Sequence, residues 1–399
     1  MIYLLFSIVI FFSCFSIFYA FQKKDILNPL ILFYIPFLIQ IVIHYLKFHK
    51  NYNISSETYL IFSLGLLFFG LGYLFFGFLI KENKYNAHMH SNDELYINKQ
   101  VYNFFILWGI IGLLLGFFEM IKFGRSGVAG QFFSSVRWHV NYGEGYNFIT
   151  KYSVVPMHII CCYDLLNQKA ARLKKYLHIF IYTLLILIGT ARTGIILSIL
   201  ALTYIWILNN KVNNRRLSFK QKSLIILITI LVITAFISFA NATNKLFIKD
   251  EFFLYLYFGF PINSFDTYIL NNPSVTSGAK VGGILFEILS KVNLVNYNNI
   301  DDLLARVGQF NVYSYISDPY LDFGSFGVIS VSFSLGILTN YFYNKNLFSG
   351  GKWTIVYATF ANSILISFYS YTFSLTYYIY IVIFLFIFVK NRTSYSMDG

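Results

Sequence analysis

The sequence predicts an all-α polytopic membrane protein with about eleven transmembrane helices and one long external loop that carries short helices. Two observations predict this class. Of the 399 residues, 57% are hydrophobic and 12% are charged, which is about half the charged share of an ordinary soluble domain. Runs of about 18 to 20 apolar residues, enough to cross the hydrocarbon core of a bilayer, also follow one another along the chain. We therefore expect residues 1–399 to form a single integral membrane domain.

Eleven apolar segments are predicted to be spans, because each is bounded by polar or charged residues. Residues 1–20 have no basic amino-terminal stretch and no small-residue cleavage site, so we expect them to form the first span and not a cleaved signal peptide. The spans lie near residues 2–20, 28–46, 58–80, 101–121, 152–167, 176–190, 193–208, 223–240, 324–343, 353–369 and 372–389.

Basic residues determine the predicted orientation. Lys and Arg crowd the loops 168–175 and 209–222, and alternation puts the other dense basic clusters on the same side. Cytoplasmic loops are enriched in Lys and Arg, so we expect the carboxyl end to be cytoplasmic and the amino end external. The net charge of +13 then reflects topology and attraction to anionic membrane lipid, and we expect no nucleic-acid partner.

The segment 241–323 is the predicted large external (periplasmic) loop. It contains eight acidic and five basic residues and three of the six prolines. Since a connector between two spans does not need this length, we expect the loop to fold back onto the membrane. Its apolar, aromatic run at residues 252–260 is typical of an interfacial or re-entrant segment.

A tight external turn at residues 189–194 (GTARTG) holds the first candidate functional residue, Arg192. A guanidinium group offers a fixed fork of donors that suits phosphate oxygens, and the flanking glycines allow close approach of a ligand. An arginine at the membrane surface is costly enough to suggest function. The alternative is an arginine that only extends toward water from a helix end.

The stretch 311–327, which leads into the ninth span, holds the second group of candidates. Asp318 or Asp322 could take a proton from a sugar hydroxyl, and polar side chains that could contact a sugar accompany them at Asn311, Tyr313 and Tyr320. The alternative is that Asp318 begins a turn and Asp322 caps a helix.

Two further features lie in the external segments. Arg125, Arg137 and His139 belong to a predicted amphipathic surface helix, where they could hold a phosphate or, for His139, act as a base; the alternative is an interfacial anchor. The aromatic stretch 258–266 ends at Asp266 and would suit a sugar ring, although aromatic residues make up 21% of the whole chain.

Several classes of site are not predicted. The chain has no cluster of residues with metal-ligand spacing, no phosphate-binding loop and no dinucleotide fingerprint. Its three cysteines lie in or beside predicted spans and give no disulfide or zinc pattern. We therefore expect neither a metal nor another cofactor.

Taken in order, three of these motifs resemble the O-antigen polymerase family, the oligosaccharide repeat-unit polymerases of bacterial surface polysaccharide assembly. They are the Ala-Arg-Thr-Gly turn at residues 191–194, the Phe-Gly-Phe-Pro-Ile-x-x-Phe-Asp stretch at 258–266, and the Asn-Val-Tyr to Asp-Phe-Gly stretch at 311–324. The number of spans and the long late loop are also similar. Related O-antigen ligases carry a histidine near the start of the closing stretch, where this chain has Asn311.

The resemblance implies metal-independent glycosyl transfer at the outer face of the bacterial cytoplasmic (inner) membrane, in O-antigen or capsule synthesis. The substrates would be glycans linked to undecaprenyl diphosphate, and a chain-length regulator and a flippase would act beside the enzyme. Arg192, with Arg137 second, would stabilise the departing diphosphate, while Asp318 or Asp322 would orient or deprotonate the acceptor hydroxyl.

Other readings stay open. A lipid-linked oligosaccharide flippase or transporter would explain the many spans, but it does not need the long external loop. An O-antigen ligase shares the motifs apart from the histidine. A membrane-bound acyltransferase would need a histidine-centred site, for which His139 lacks an evident partner.

Overall fold

A computed structural model describes most of the chain, and 84% of the described residues are helical. Four described helices are long and apolar enough to cross a membrane by length and composition, and three shorter apolar helices accompany them. The all-α membrane class is therefore confirmed, while the number of eleven spans stays a prediction. The described residues are 2–23, 25, 27–46, 54–79, 94–128, 130–142, 145–167, 171–188, 192–212, 223, 234, 255–271, 276, 278–294, 313–373 and 376–392, with only the backbone described for some, including 192–197.

The helices divide between two compact units, each discontinuous in sequence. Unit 1 comprises residues 1–87, 250–345 and 360–378, and unit 2 comprises residues 88–249, 346–359 and 379–399. The helices are α1 (Ile2–Lys23), α2 (Pro29–Tyr45), α3 (Ser56–Leu79), α4 (Lys99–Arg125), α5 (Phe132–Tyr142), α6 (Phe148–Tyr152), α7 (Val154–Leu166), α8 (Arg172–Ile188), α9 (Arg192–Val212), α10 (Phe260–Ser264), α11 (Ala279–Lys291), α12 (Ser317–Ser349), α13 (Lys352–Ile366) and α14 (Thr376–Phe388).

Helices lie where ten of the eleven spans were predicted, and the eleventh, at 223–240, lies almost wholly outside the described residues. From Tyr255, where its described part begins, the predicted re-entrant run is helical as well. Two π-helical turns, Tyr255–Gly259 and Phe265–Ile269, flank α10, and all five side chains of α10 are buried.

Asparagine side chains begin three of the helices. The side-chain oxygens of Asn28, Asn98 and Asn147 accept hydrogen bonds from the backbone amides of Leu30, Gln100 and Thr150 at 2.9 Å in each case. A free amide at a helix start has no partner within the helix, so these caps fix where α2, α4 and α6 begin.

Close backbone contact between α3 and α12 defines the core of unit 1. A Cβ atom at Gly72 would collide with the carbonyl oxygen of Phe333, and one at Gly336 would collide with the carbonyl oxygen of Phe69. In a membrane, helices associate through such close van der Waals contact at small residues, since lipid offers no hydrophobic driving force. Beside this contact, the ring of Phe69 stacks on Phe33 with centroids 3.6 Å apart.

A sharp kink divides α12 where the predicted loop gives way to the predicted ninth span. Phe323 and Gly324 have non-helical backbone angles, and Gly324 adopts φ 62° and ψ −151°. Only glycine adopts this region readily. Residues 317–322 therefore form a separate turn of helix before the span.

In unit 2, a buried polar cluster joins α4, α7 and α8. The Asp164 carboxylate lies 2.6 Å from Nδ1 of His178 and accepts a hydrogen bond from the Tyr102 hydroxyl at 3.0 Å. A two-stranded antiparallel ribbon lies in the same unit, in which β1 (Glu94–Ile97) pairs with β2 (Val389–Arg392). The sequence analysis did not predict this ribbon.

The glycine contact gives a test of the unit 1 core. Gly336→Ala should lower the stability of the detergent-solubilised protein by about 1–3 kcal/mol, because the new methyl group forces two helix backbones apart. The midpoint of thermal denaturation measures this effect. Gly77→Ala is the control, since its Cβ would meet only the side-chain nitrogen of Asn340, at 3.3 Å. Equal midpoints for the two variants would contradict the role of the contact.

Candidate functional site

The basic candidates of the segment 122–151 lie in unit 2. Arg125 is exposed at the end of α4, and Arg137 lies half-buried on α5. A helix is thus present as α5 for Arg137 and His139, whereas the prediction was wrong for Arg125, because α4 continues to this residue and ends there. The His139 ring stacks on Phe123 with centroids 4.7 Å apart and an interplanar angle of 15°, and its Nε2 lies 3.0 Å from Oγ of Ser126. This packing holds the imidazole against the end of α4.

A tyrosine ties the same segment to the turn that contains Arg192. The Tyr146 hydroxyl donates a 2.7 Å hydrogen bond to the carbonyl oxygen of Ile188, the last residue of α8. Residues 189–191 lie outside the described part of the chain, and α9 begins at Arg192, whose side chain is not described. The start of the turn and the basic segment are therefore joined by one hydrogen bond.

A glutamate supports this tyrosine from α4. Glu119 accepts hydrogen bonds from the backbone and side-chain nitrogens of Asn147, at 3.1 and 2.9 Å, and from the Thr150 hydroxyl at 3.1 Å. Burial, followed by the nearby Glu119 carboxylate, raises the pKa of Tyr146. The phenol consequently stays protonated and remains a donor to Ile188. Sequence reasoning missed both residues, although an acid inside an apolar span was a usable signal for Glu119.

In unit 1, Asp266 connects the helical segment 255–269 to the start of α3. One carboxylate oxygen accepts hydrogen bonds from the Ser55 amide at 3.0 Å, the Ser55 hydroxyl at 2.5 Å and the Thr58 hydroxyl at 2.7 Å. A negative charge at a helix amino terminus is stabilised by the helix dipole and the free amides. The Ser55 hydroxyl oxygen in turn accepts a hydrogen bond from the Thr58 amide at 3.2 Å. Asp266 therefore holds the residue that begins α3, a role that its local sequence did not predict.

Asp322 performs the same task for α11. Its carboxylate accepts hydrogen bonds from the Thr276 hydroxyl, from the Lys280 amide at 3.2 Å and from the Val281 amide at 2.7 Å. The side chain is 2% exposed. The predicted alternative for this residue, a helix cap, thus describes its contacts, although the helix that it caps lies about forty residues earlier in the chain.

Asp318 occupies the first turn of α12 and is half-buried. Burial and then the carboxylates of Asp318 and Asp322 raise the pKa of Tyr371, which lies in the connection between α13 and α14. Of the two predicted acids, Asp318 is the more exposed to a ligand.

The other predicted residues of the closing stretch differ in their exposure. The Tyr320 hydroxyl donates a 3.1 Å hydrogen bond to the Leu270 carbonyl, and its ring packs edge-on against Phe265. Tyr313 is half-buried at the start of the described stretch, and Asn311 lies outside the described residues. Tyr320 therefore holds the closing stretch against the opening stretch of the loop.

The candidates consequently fall into two groups of opposite charge. Unit 2 contains the basic group of Arg125, Arg137, His139 and the backbone of Arg192, and unit 1 contains Asp266, Asp318, Asp322, Tyr313 and Tyr320. Within the described part of the chain, no three His, Cys, Asp or Glu side chains come close enough together to hold a metal ion.

Comparison with known proteins gives one match. The family model described as O-antigen polysaccharide polymerase Wzy matches residues 1–270, which is more than half of the chain. The matched region includes the turn at 191–194 and the stretch at 258–266, while the closing stretch at 311–324 lies beyond it. No curated protein and no solved structure matches the chain.

The contacts of the two acids predict that the same substitution lowers stability more at Asp322 than at Asp318. Asp322→Asn should destabilise the protein by about 1–3 kcal/mol, because an amide nitrogen would face backbone N–H donors in a buried site. Asp318→Asn should change stability by less than about 1 kcal/mol, since this side chain is half-exposed. Thermal denaturation of both purified variants measures the difference. An equal loss in the two variants would contradict the assignment of Asp322 as the structural cap.

Proposed function

Since the chain belongs to the O-antigen polysaccharide polymerase Wzy family, we propose that it joins undecaprenyl-diphosphate-linked oligosaccharide repeat units at the outer face of the bacterial cytoplasmic membrane. The observation that carries this proposal is the family match over residues 1–270, which includes the Arg192 turn. The donor is the growing glycan on its lipid diphosphate. The acceptor is the terminal sugar of a single repeat unit on the same kind of lipid.

The chemistry is a glycosyl transfer with a diphosphate leaving group. The acceptor hydroxyl oxygen bonds to the anomeric carbon of the donor, the bond between this carbon and the diphosphate oxygen breaks, and the hydroxyl proton is released. Negative charge then grows on the departing diphosphate. Cationic donors placed there lower the barrier, because they interact more strongly with the transition state than with the substrate.

We assign this stabilisation to the basic group of unit 2. Arg192 stands at the amino terminus of α9, where the helix dipole and free amides also favour an anion. Arg137 is the second choice, and Arg125 and His139 lie on the same segment. The Tyr146 bond to Ile188 supports the assignment, because it joins that segment to the turn.

We assign the acceptor side to unit 1. Asp318 is the candidate base and orienting group, because it is the more exposed of the two acids of the closing stretch, whereas Asp322 is buried as the cap of α11. Asn311 and Tyr313 are proposed to contact the sugar. The hydrogen bond from Tyr320 to the Leu270 carbonyl holds the closing stretch against the opening stretch of the loop. Diphosphate is a good leaving group, so the reaction is proposed to need no metal.

Contacts at the helix ends support the alternation of the spans from which the orientation was predicted. Asp25 accepts a hydrogen bond from Tyr343, and β1 pairs with β2, so segments that were all predicted to be cytoplasmic meet each other. Ser55 meets Asp266, and Tyr146 meets Ile188, so segments that were predicted to be external also meet. The proposal keeps the carboxyl end in the cytoplasm, with a flippase supplying the substrate and a regulator protein controlling chain length.

The central prediction concerns Arg192. Arg192→Ala should abolish long polysaccharide chains, because the departing diphosphate loses its cationic partner. Gel electrophoresis of surface glycan should then show single repeat units only, from a strain that contains the variant at wild-type level. Arg172→Ala is the matched control, since Arg172 is exposed at the start of α8, at the other end of that helix from the turn.

Two outcomes would contradict this assignment. Normal chain lengths with well-expressed Arg192→Ala would remove Arg192 from catalysis. Loss of all surface glycan, including single units, on deletion of the gene would favour a flippase over a polymerase.

A second prediction concerns the residue that holds the turn. Tyr146→Phe should reduce polymerisation about tenfold, because a buried carbonyl at the start of the turn loses its donor, at a cost of roughly 1–2 kcal/mol. The measurement is polymer formation per molecule of enzyme in membranes supplied with lipid-linked repeat units. Tyr152→Phe serves as control, since Tyr152 lies on the adjacent α6 and contacts Tyr380 through its ring. An unchanged rate in Tyr146→Phe would rule out the positioning role.

A further inference from the structure

Five buried side chains on α2, the segment 255–270, the start of α12 and the connection 366–373 of unit 1 have an oxygen without a hydrogen-bond partner among the described residues. Unit 1 contains further oxygens of this kind on other elements, such as that of Ser13 on α1. None of the five exposes more than 3% of its surface. All five side chains are neutral, and each unpaired oxygen belongs to an amide or a hydroxyl group. The atoms are Oε1 of Gln40, Oδ1 of Asn263, Oγ of Ser264, Oγ of Ser317 and Oγ1 of Thr372. We call them the neutral polar set.

Members of the set lie on segments that pack against one another. The segment 255–270 contacts the start of α12 through the rings of Phe265 and Tyr320, whose centroids are 5.1 Å apart. The residues just before α12 contact the connection 366–373, since the Tyr315 amide donates a 2.8 Å hydrogen bond to the Ser367 carbonyl.

The segment 255–270 also contacts the connection 366–373 directly. Phe258 stacks on Phe368 with centroids 4.4 Å apart, which joins the segment 255–270 to the connection 366–373. The Gln40 side-chain nitrogen donates a 2.7 Å hydrogen bond to the Phe368 carbonyl, so α2 contacts the same place. All five oxygens are therefore on elements that meet at one region of unit 1.

Unpaired buried oxygens are uncommon in folded proteins, because each loses its hydrogen bonds to water without replacement. Several in one region indicate that another molecule supplies the missing donors and acceptors. The set can accept hydrogen bonds through its amides and both donate and accept through its hydroxyls. This combination matches the hydroxyl groups of a sugar ring.

Charge argues against a diphosphate at this place. The charged side chains of the described segments 255–271, 313–322 and 366–373 are the carboxylates of Asp266, Asp318 and Asp322. These carboxylates repel an anionic group but accept hydrogen bonds from sugar hydroxyls. The lipid diphosphate fits the basic group of unit 2 instead.

We propose that the neutral polar set binds an uncharged sugar ring, the terminal sugar of the acceptor repeat unit, beside Asp318. This inference rests on the proposed function, since a polymerase needs a place for an acceptor hydroxyl. It adds the class of ligand for unit 1 and names residues that recognise it. Asn263 and Ser317 are specificity-determining residues under this proposal, and Asp318 remains the group that acts on the hydroxyl.

Ligand-dependent thermal stabilisation of the purified full-length protein tests the proposal. One probe is the repeat-unit oligosaccharide of the producing strain, cleaved from its lipid by mild acid, and the other is inorganic pyrophosphate. The wild type should be stabilised by the oligosaccharide. Ser264→Ala and Ser317→Ala should bind it at least tenfold more weakly, while they melt at or above the wild-type temperature without ligand, because each removes an unpaired buried hydroxyl.

Ser63→Ala is the matched control. Ser63 is as deeply buried in unit 1, but its hydroxyl donates a 2.6 Å hydrogen bond to the Tyr59 carbonyl. This variant should bind the oligosaccharide as the wild type does. The serine variants keep the test valid if Asn263→Ala fails to fold.

Failure of the wild type to bind the oligosaccharide would overturn the inference, and so would unchanged binding by both serine variants. A loss of pyrophosphate stabilisation in these variants would also overturn it. A lower melting temperature of both serine variants without ligand would do the same, since the hydroxyls would then be structural. In each of these cases, a loss of long chains in Arg192→Ala would still support the proposed polymerase function. The experiments therefore distinguish a failure of the sugar-binding proposal from a failure of the proposed function.

Discussion

Buried and half-buried carboxylates that accept hydrogen bonds from a second element hold the helix ends of this protein in place. Asp266 binds the start of α3, Asp322 binds the start of α11, and Glu119 binds the start of α6. Asp164 and Asp25 do the same at other helix ends, through Tyr102 and His178 and through Tyr343. An anion that lacks partners is very costly in a medium of low polarity. Each carboxylate therefore fixes the position of the element that supplies its donors.

This constraint separates the acids of the long loop by role. The carboxylates of Asp266 and Asp322 accept hydrogen bonds at the starts of α3 and α11. Substitution of either residue would therefore first disturb the structure of the loop. Asp318 is left as the half-exposed acid of the closing stretch. The caps also bring the opening and closing stretches of the loop onto the helices of unit 1, where Tyr320 joins them. A catalytic group on a loop is accurate only when such contacts hold the loop.

The sequence predicted what local patterns can specify. Apolar runs located the helices, and the predicted boundary between the long loop and the ninth span coincides with the kink at Phe323 and Gly324, because hydropathy and glycine act over a few residues. The pairing of Asp266 with Ser55 joins positions 211 residues apart, and no local pattern encodes such a partner. The same reason kept Tyr146 and the β ribbon out of the prediction. Arg192 was predicted as a functional residue because an arginine beside glycines in an apolar region is recognisable within six residues, and its role stays a prediction.

The ribbon of β1 and β2 has a consequence for the order in which the chain is assembled. Strand β1 precedes α4, whereas its partner follows the last helix, α14. During synthesis, the first strand emerges from the ribosome almost three hundred residues before the second. Unit 2 therefore keeps an open strand edge throughout membrane insertion, until the final segment arrives. Contacts so distant in sequence form late and slowly, so the arrival of β2 is the step that completes the ribbon of unit 2.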